Sequence, residues 1–246
     1  MDTNKHGRHP SRLKSLMTVV LGSCVFVLVI VLINMAVKTL FGAVMASSLR
    51  ARTTIELTGA MVSEFIFLVL LVLYMGRRGV HLRQIGLWAP SPACGWIAAA
   101  VVAALFIWFN LALPLRDQRT LAELSLFHIY NSLMAGVTAG FIEEIFFRGF
   151  FMTELAWAGF GKAAQVAVSA ILYGLVHSAW GITSGMFPLQ MVGGAVIGTA
   201  IFGAFCSIVY LISRRSLMPV VAGHAVIDFV IEPWLFMVAI TMTQAH

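Results

Sequence analysis

Long apolar stretches separated by short polar breaks run through most of the chain. They cover residues 16–37, 57–76 (interrupted by Glu64), 91–115, 124–142 and 163–213, and a last one, 216–240, carries His224, Asp228 and Glu232. A membrane-spanning helix takes about 20 such residues. The stretch 163–213 is 51 residues long, enough for two passes. The pattern predicts an all-α, polytopic membrane helical bundle of seven transmembrane helices, or eight if 146–160 re-enters the bilayer.

The breaks divide the chain. Residues 1–15 form a polar, basic cytoplasmic tail, expected to be disordered, and 16–76 a two-span unit. Residues 77–92 contain Gly79, Gly86, Pro90 and Pro92, which predicts a loop or short interfacial segment. The remainder, 93–246, is the expected functional core. Within it, 181–188 reads as a turn on the outer face, and Met218-Pro219 suits the first turn of the last helix, where a missing N–H costs nothing.

Composition sharpens this picture. The chain is 60% hydrophobic and 11% charged, with a mean hydropathy of +0.94, which leaves too little polar surface for a soluble domain. The net charge of +6 would suit a nucleic-acid partner, but the basic residues sit at span ends without interleaved aromatics. With the N-terminus inside, Lys5, Arg8, Arg12, Lys14, Arg77, Arg78, Arg83, Arg148, Lys162, Arg214 and Arg215 are cytoplasmic; Lys38, Arg50, Arg52, Arg116 and Arg119 are not. This bias predicts a multi-pass protein of a bacterial inner membrane with a cytoplasmic N-terminus. The first apolar run has 22 residues, longer than the ~7–15-residue core of a signal peptide, so a retained span is expected. Cys24, Cys94 and Cys206 lie in apolar runs and read as small buried hydrophobes.

One stretch breaks the apolar logic. Glu143 and Glu144 are adjacent in a lipid-buried helix, four residues ahead of Arg148. A charge at mid-bilayer costs about 2.5–3.5 kcal/mol on insertion scales. Three later residues answer the pair: His177, four residues after Tyr173, and His224, four residues before Asp228. Residues four apart share a helix face, so His224 and Asp228 point one way, as do Glu144 and Arg148. Three helices thus carry ionisable groups that meet within roughly 10 Å of the midplane if the first runs over 130–157. A helix ending at Arg148 would instead put Glu143 near the inner face and His177 well outward.

A carboxylate and an imidazole on one water form a general-base pair for hydrolysis. Glu143, His177, His224 and Asp228 also form a donor set for a divalent metal such as zinc, with an open position for that water. Glu144 and Arg148 also fit a plain intrahelical ion pair. There is no His-Glu-x-x-His helix and no Gly-x-Gly-Asp motif, and Ser184 misses the Gly-x-Ser-Gly spacing by one residue. Rival readings are a proton- or cation-coupled transporter and a non-catalytic scaffold or immunity protein. The chain lacks evident inverted symmetry, and its ionisable residues cluster in one half.

Glu-Glu-x-x-x-Arg, aromatic-x-x-x-His and His-x-x-x-Asp, in this order over about 124–240, resemble the CPBP family. That family holds the type II CAAX prenyl endopeptidases and the bacteriocin-processing, Abi-type intramembrane proteases. The resemblance implies an all-helical intramembrane protease. Glu143 and His177 would activate water, His224 and Asp228 would form the last pair, and Glu144 and Arg148 would complete the first motif. Tyr173 stands where Phe is commoner, adding a hydroxyl near His177, and Asp228 where some members have Asn. An ionised Asp cannot donate to an oxyanion. Asp228 must therefore be protonated, orient His224, or join it on a metal. Expected substrates are membrane-associated peptides: the end of a transmembrane protein, a leader peptide or a lipidated tail. CAAX cleavage is not expected in a bacterial inner membrane.

Overall fold

The computed structural model describes residues 10–111, 126–184 and 189–244. The elements are α1 (Arg12–Ser47), α2 (Leu49–Arg77), α3 (Ala93–Leu111), α4 (Leu126–Glu143), a π-helical segment (Glu144–Phe151), α5 (Met152–Trp157), α6 (Lys162–Ser184), α7 (Leu189–Ile212) and α8 (Met218–Gln244). No strand occurs among the described residues, so the protein is all-helical. Among the described residues, four helices are long and apolar enough to cross a membrane: α1, α2, α3 over Ala93–Asn110, and α7 over Val192–Ile212. These four do not by themselves make up the expected seven or eight. Asn131, Ser132, Glu143, Gln165, Ser169, His224 and Asp228 are all buried in the remaining helices.

α1 starts at Arg12, earlier than expected for the tail, because Ser11 caps it by accepting a hydrogen bond from the Lys14 N–H. Residues 1–9 of that tail lie outside the described residues. α1 and α2 are separated by Ser48 alone, whose side chain accepts from the Ala51 N–H. Where a turn is expected over 181–188, α6 continues through Ser184, and residues 185–188 lie outside the described residues. Residues 144–157 prolong α4 instead of folding back as a separate pass, since Phe151 and Met152 both keep right-handed helical dihedrals. Of the two helix boundaries weighed from sequence, the longer one therefore matches.

Three helix pairs make the broadest contacts: α6 with α7, α4 with α8, and α1 with α2. Small residues permit this closeness, as is usual where lipid supplies no hydrophobic drive between helices. A Cβ on Gly140 would lie 2.6 Å from the Ala225 backbone nitrogen, and one on Gly136 2.6 Å from the Ala225 carbonyl oxygen. The α4–α8 contact therefore admits nothing larger than hydrogen at these two positions. An aromatic cluster joins the first two helices to the π segment. Phe26 stacks on Phe67 with centroids 4.4 Å apart, Phe67 meets Phe146 at 4.4 Å, and Phe146 meets Phe151 at 4.1 Å.

The 77–92 segment is a turn-rich loop, docked on the α7–α8 connection through its backbone. Leu217 N donates to Gly86 O at 3.1 Å, the Tyr210 hydroxyl to Ile85 O at 3.0 Å, and the Ser216 hydroxyl to Ala89 O at 2.7 Å. At the same end, Arg78 grips both oxygens of buried Glu154 at 3.0 and 3.2 Å, and Ser15 donates to one of them. Burial works against the Arg78 charge, but the hydrogen bonds and charge of Glu154 more than offset it, so this guanidinium is held above its ordinary value. Among the cysteines, only Cys206 is buried; Cys24 and Cys94 face outward, contrary to the expectation of buried cysteines. Apolar helix faces that look toward lipid accommodate a small thiol as readily as the interior does.

Candidate active site

Glu143 ends α4 and Glu144 opens the π segment. A π-helix closes its hydrogen bonds five residues back instead of four, and such turns often sit at functional sites. Here every residue from Glu143 to Phe151 is buried, including both glutamates and Arg148. Ser169 of α6 donates its hydroxyl to Phe147 O within the segment at 3.1 Å, which ties the widened turn to the neighbouring helix.

The two glutamates play different parts. Glu144 Oε1 accepts from Arg148 Nη1 at 2.9 Å and pairs with His224 Nδ1 at 2.7 Å. Arg148 Nη2 donates to Gly203 O at 2.9 Å, and its guanidinium lies 4.5 Å from the centre of the Tyr173 ring. Glu144 and Arg148 thus form a buried ion pair that also anchors His224. Glu143 faces the imidazoles. Its Oε1 is 3.6 Å from His177 Nε2, and its Oε2 is 3.9 Å from His224 Nε2. The Tyr173 hydroxyl donates to the same Oε2 at 2.7 Å. Asp228 Oδ2 approaches His224 Nε2 to 3.1 Å, yet the angles are not those of a hydrogen bond, and Oδ2 is without one among the described residues.

Hydrogen bonding sets the tautomers. His177 Nδ1 lies 2.8 Å from Tyr173 O, and a carbonyl can only accept, so Nδ1 carries the proton. A neutral His177 therefore turns a free lone pair on Nε2 toward Glu143. By the same logic, ionised Glu144 accepts from His224 Nδ1–H and leaves Nε2 facing Glu143 and Asp228. Phe202 packs its ring 4.7 Å from the His224 ring at 74°, which fixes the imidazole plane. The six positions singled out from sequence, Glu143, Glu144, Arg148, His177, His224 and Asp228, lie in one cluster.

Residues 124–230, the part of the chain that supplies this cluster, match the family model of type II CAAX prenyl endopeptidase Rce1-like proteins. Over this part, the chain is similar to the Rce1-like family. The match accords with the CPBP resemblance carried by the three motifs. No curated protein and no solved structure matches the chain. That family is one of endopeptidases, so the match implies a protease, and the long apolar helices a membrane protein.

Within the site the His177 side chain is the most exposed, at 20%, against 13% for Asp228, 4% for Glu143 and 2% for His224. Behind His224, between α3, α7 and α8, lies a cavity of about 10 Å³ lined by Ala99, Val102, Cys206, Val209, Val220 and Ile227, the room of about one water. A larger apolar hollow of about 200 Å³ lies on the outer side of α4 and α8, against Leu133, Gly136 and Phe229, away from the carboxylates.

Among the described residues one donor set is close enough for a cation: ligand atoms of Glu144, Cys206 and His224 lie within 4.8 Å of one another, and all three residues are buried. The set expected from sequence, Glu143, His177, His224 and Asp228, shares only His224 with it. Cys206 escaped sequence reading because a cysteine in an apolar run carries no spacing signal. Tyr173 entered that reading only as a neighbour of His177, and its bond to Glu143 is visible only in three dimensions.

Proposed function

We propose that the protein is an intramembrane endopeptidase that hydrolyses peptide bonds of membrane-associated substrates with a water activated by Glu143 and His177. The observation that carries this reading is the approach of Glu143 Oε1 to His177 Nε2 at 3.6 Å in a buried site where His177 is the most exposed side chain. Two acceptors at that separation suit a single water donating one hydrogen to each. Glu143 takes a proton as the water oxygen attacks the scissile carbonyl carbon. The C–N bond then breaks, and Glu143 returns the proton to the leaving amine.

Glu144 and Arg148 hold His224 in place and neutralise each other. Ionised Asp228 has no hydrogen to give an oxyanion, so its part is to orient His224 or to serve as a ligand. The residues fit a divalent cation. Glu143, Glu144 and Asp228 bring three negative charges against the one of Arg148, and the buried Asp228 Oδ2 lacks a hydrogen bond among the described residues. Glu143, His177, His224 and Asp228 would hold zinc, which when bound would polarise the scissile carbonyl and acidify water.

A peptide bond must reach this depth from the bilayer, so substrates are membrane-spanning ends, leader peptides or lipidated tails. The charge bias of the span ends supports a bacterial inner membrane with a cytoplasmic N-terminus. The test is cleavage of a membrane-peptide library by purified protein. Glu143→Ala and His177→Ala each abolish cleavage while detergent-solubilised protein keeps its helical signal and unfolding temperature. Full activity in either variant refutes the reading and leaves a scaffold or a transporter.

A further inference from the structure

Glu143 has no cation within hydrogen-bonding distance among its described neighbours, because Arg148 is committed to Glu144 Oε1 and Gly203 O. Its Oε2 looks across His224 Nε2 toward the carboxylate of Asp228, with separations of 3.9 and 3.1 Å from that nitrogen. Glu144, on the far side of the same ring, is taken up by Arg148 Nη1 and His224 Nδ1. Nothing in that arrangement by itself keeps Oε1 turned to His177.

The group that does so is Tyr173. Its hydroxyl donates to Glu143 Oε2 at 2.7 Å, the short distance of a hydrogen bond to an ionised acceptor. Its ring has little freedom to move. It meets Phe147 edge-on with centroids 5.0 Å apart at 82°, and it lies so close to α7 that a Cβ at Gly203 would come within 3.0 Å of it. The Arg148 guanidinium covers the ring at 4.5 Å. The Tyr173 carbonyl also receives the Nδ1–H of His177. One residue therefore sets the rotation of Glu143 through its side chain and the tautomer of His177 through its backbone.

We propose that Tyr173 is a positioning residue: its hydroxyl holds Glu143 Oε2, so that Oε1 stays aligned with His177. The proposal rests on the hydrolytic reading above and assigns that reading a further residue.

The test is Tyr173→Phe, which removes one oxygen and keeps the ring. The probe is an internally quenched transmembrane peptide chosen from the library because the parent protein cleaves it. kcat falls about tenfold, the scale of one hydrogen bond to a charged group, while KM stays within about twofold, because the loss is felt in alignment and not in peptide binding. An unchanged kcat in Tyr173→Phe overturns the proposal. So does a loss carried by KM, or a variant that unfolds, since the hydroxyl would then be merely structural. Glu143→Ala is run beside Tyr173→Phe. Activity there sinks the hydrolytic reading, whereas an inactive Glu143→Ala beside a fully active Tyr173→Phe sinks only the role of Tyr173.

Discussion

Each ionisable residue of the site has a partner that explains how it survives burial, and the partners differ in kind. Glu144 and Arg148 neutralise each other at 2.9 Å, Glu143 is held by a neutral phenol, and His224 bridges Glu144 and Asp228. This division makes the metal question sharp at single side chains. If Glu143, His177, His224 and Asp228 hold zinc, purified protein contains about one equivalent, His224→Ala and His177→Ala lose it, and Cys206→Ser keeps it. If Glu144, Cys206 and His224 are the ligands, Cys206→Ser loses the metal and His177→Ala keeps it. Elemental analysis of the three variants, with and without chelator, separates the sets. The cluster's members were legible in the sequence because a charge in an apolar run is conspicuous and a spacing of four marks a helix face. The pairing within it was not, since spacing cannot say whether Glu143 or Glu144 takes Arg148 once the local helix is not α.

At the scale of elements, the α4–α8 contact decides whether Glu143 meets His224 at all. Gly136 and Gly140 bring the two helices into backbone contact beside Ala225, the neighbour of His224 in sequence. Gly140→Val forces the helices apart and costs about 1–3 kcal/mol, the usual range for overpacking. The expected outcome is a lower unfolding temperature in detergent and loss of cleavage, whereas Gly159→Ala, at a left-handed position with open space around it, costs less and leaves cleavage intact. Helix identity was readable from hydropathy, and the start of α8 at Met218 followed from Met218-Pro219. The π segment gave no signal: Glu-Ile-Phe-Phe-Arg-Gly-Phe-Phe is compatible with an ordinary α-helix, and its register depends on contacts such as that of Ser169 with Phe147 O.

For the whole molecule, the end at which α1 begins is tied by Arg78, Glu154 and Ser15, which join the end of α2, α5 and α1. Arg78→Ala strands a buried carboxylate and costs about 2–3 kcal/mol, between the ~1 kcal/mol of exposed pairs and the larger loss seen for fully buried ones. Thermal unfolding of the variant in detergent measures it, and an unchanged midpoint would mean that the pair is dispensable. Orientation is tested by labelling: a cysteine at Ser11, in a background without native cysteines, reacts with an impermeant maleimide only after the membrane is opened. The π segment bears on this scale as well. Above it the rod turns Gly140 to α8; below it the same rod turns Glu154 to α1 and α2. One widened turn works as a phase shifter, letting a single length of backbone serve two sets of neighbours that a uniform pitch would leave out of step. Deleting one residue between Glu144 and Phe151 would therefore misalign one end or the other, even with every motif letter still in place.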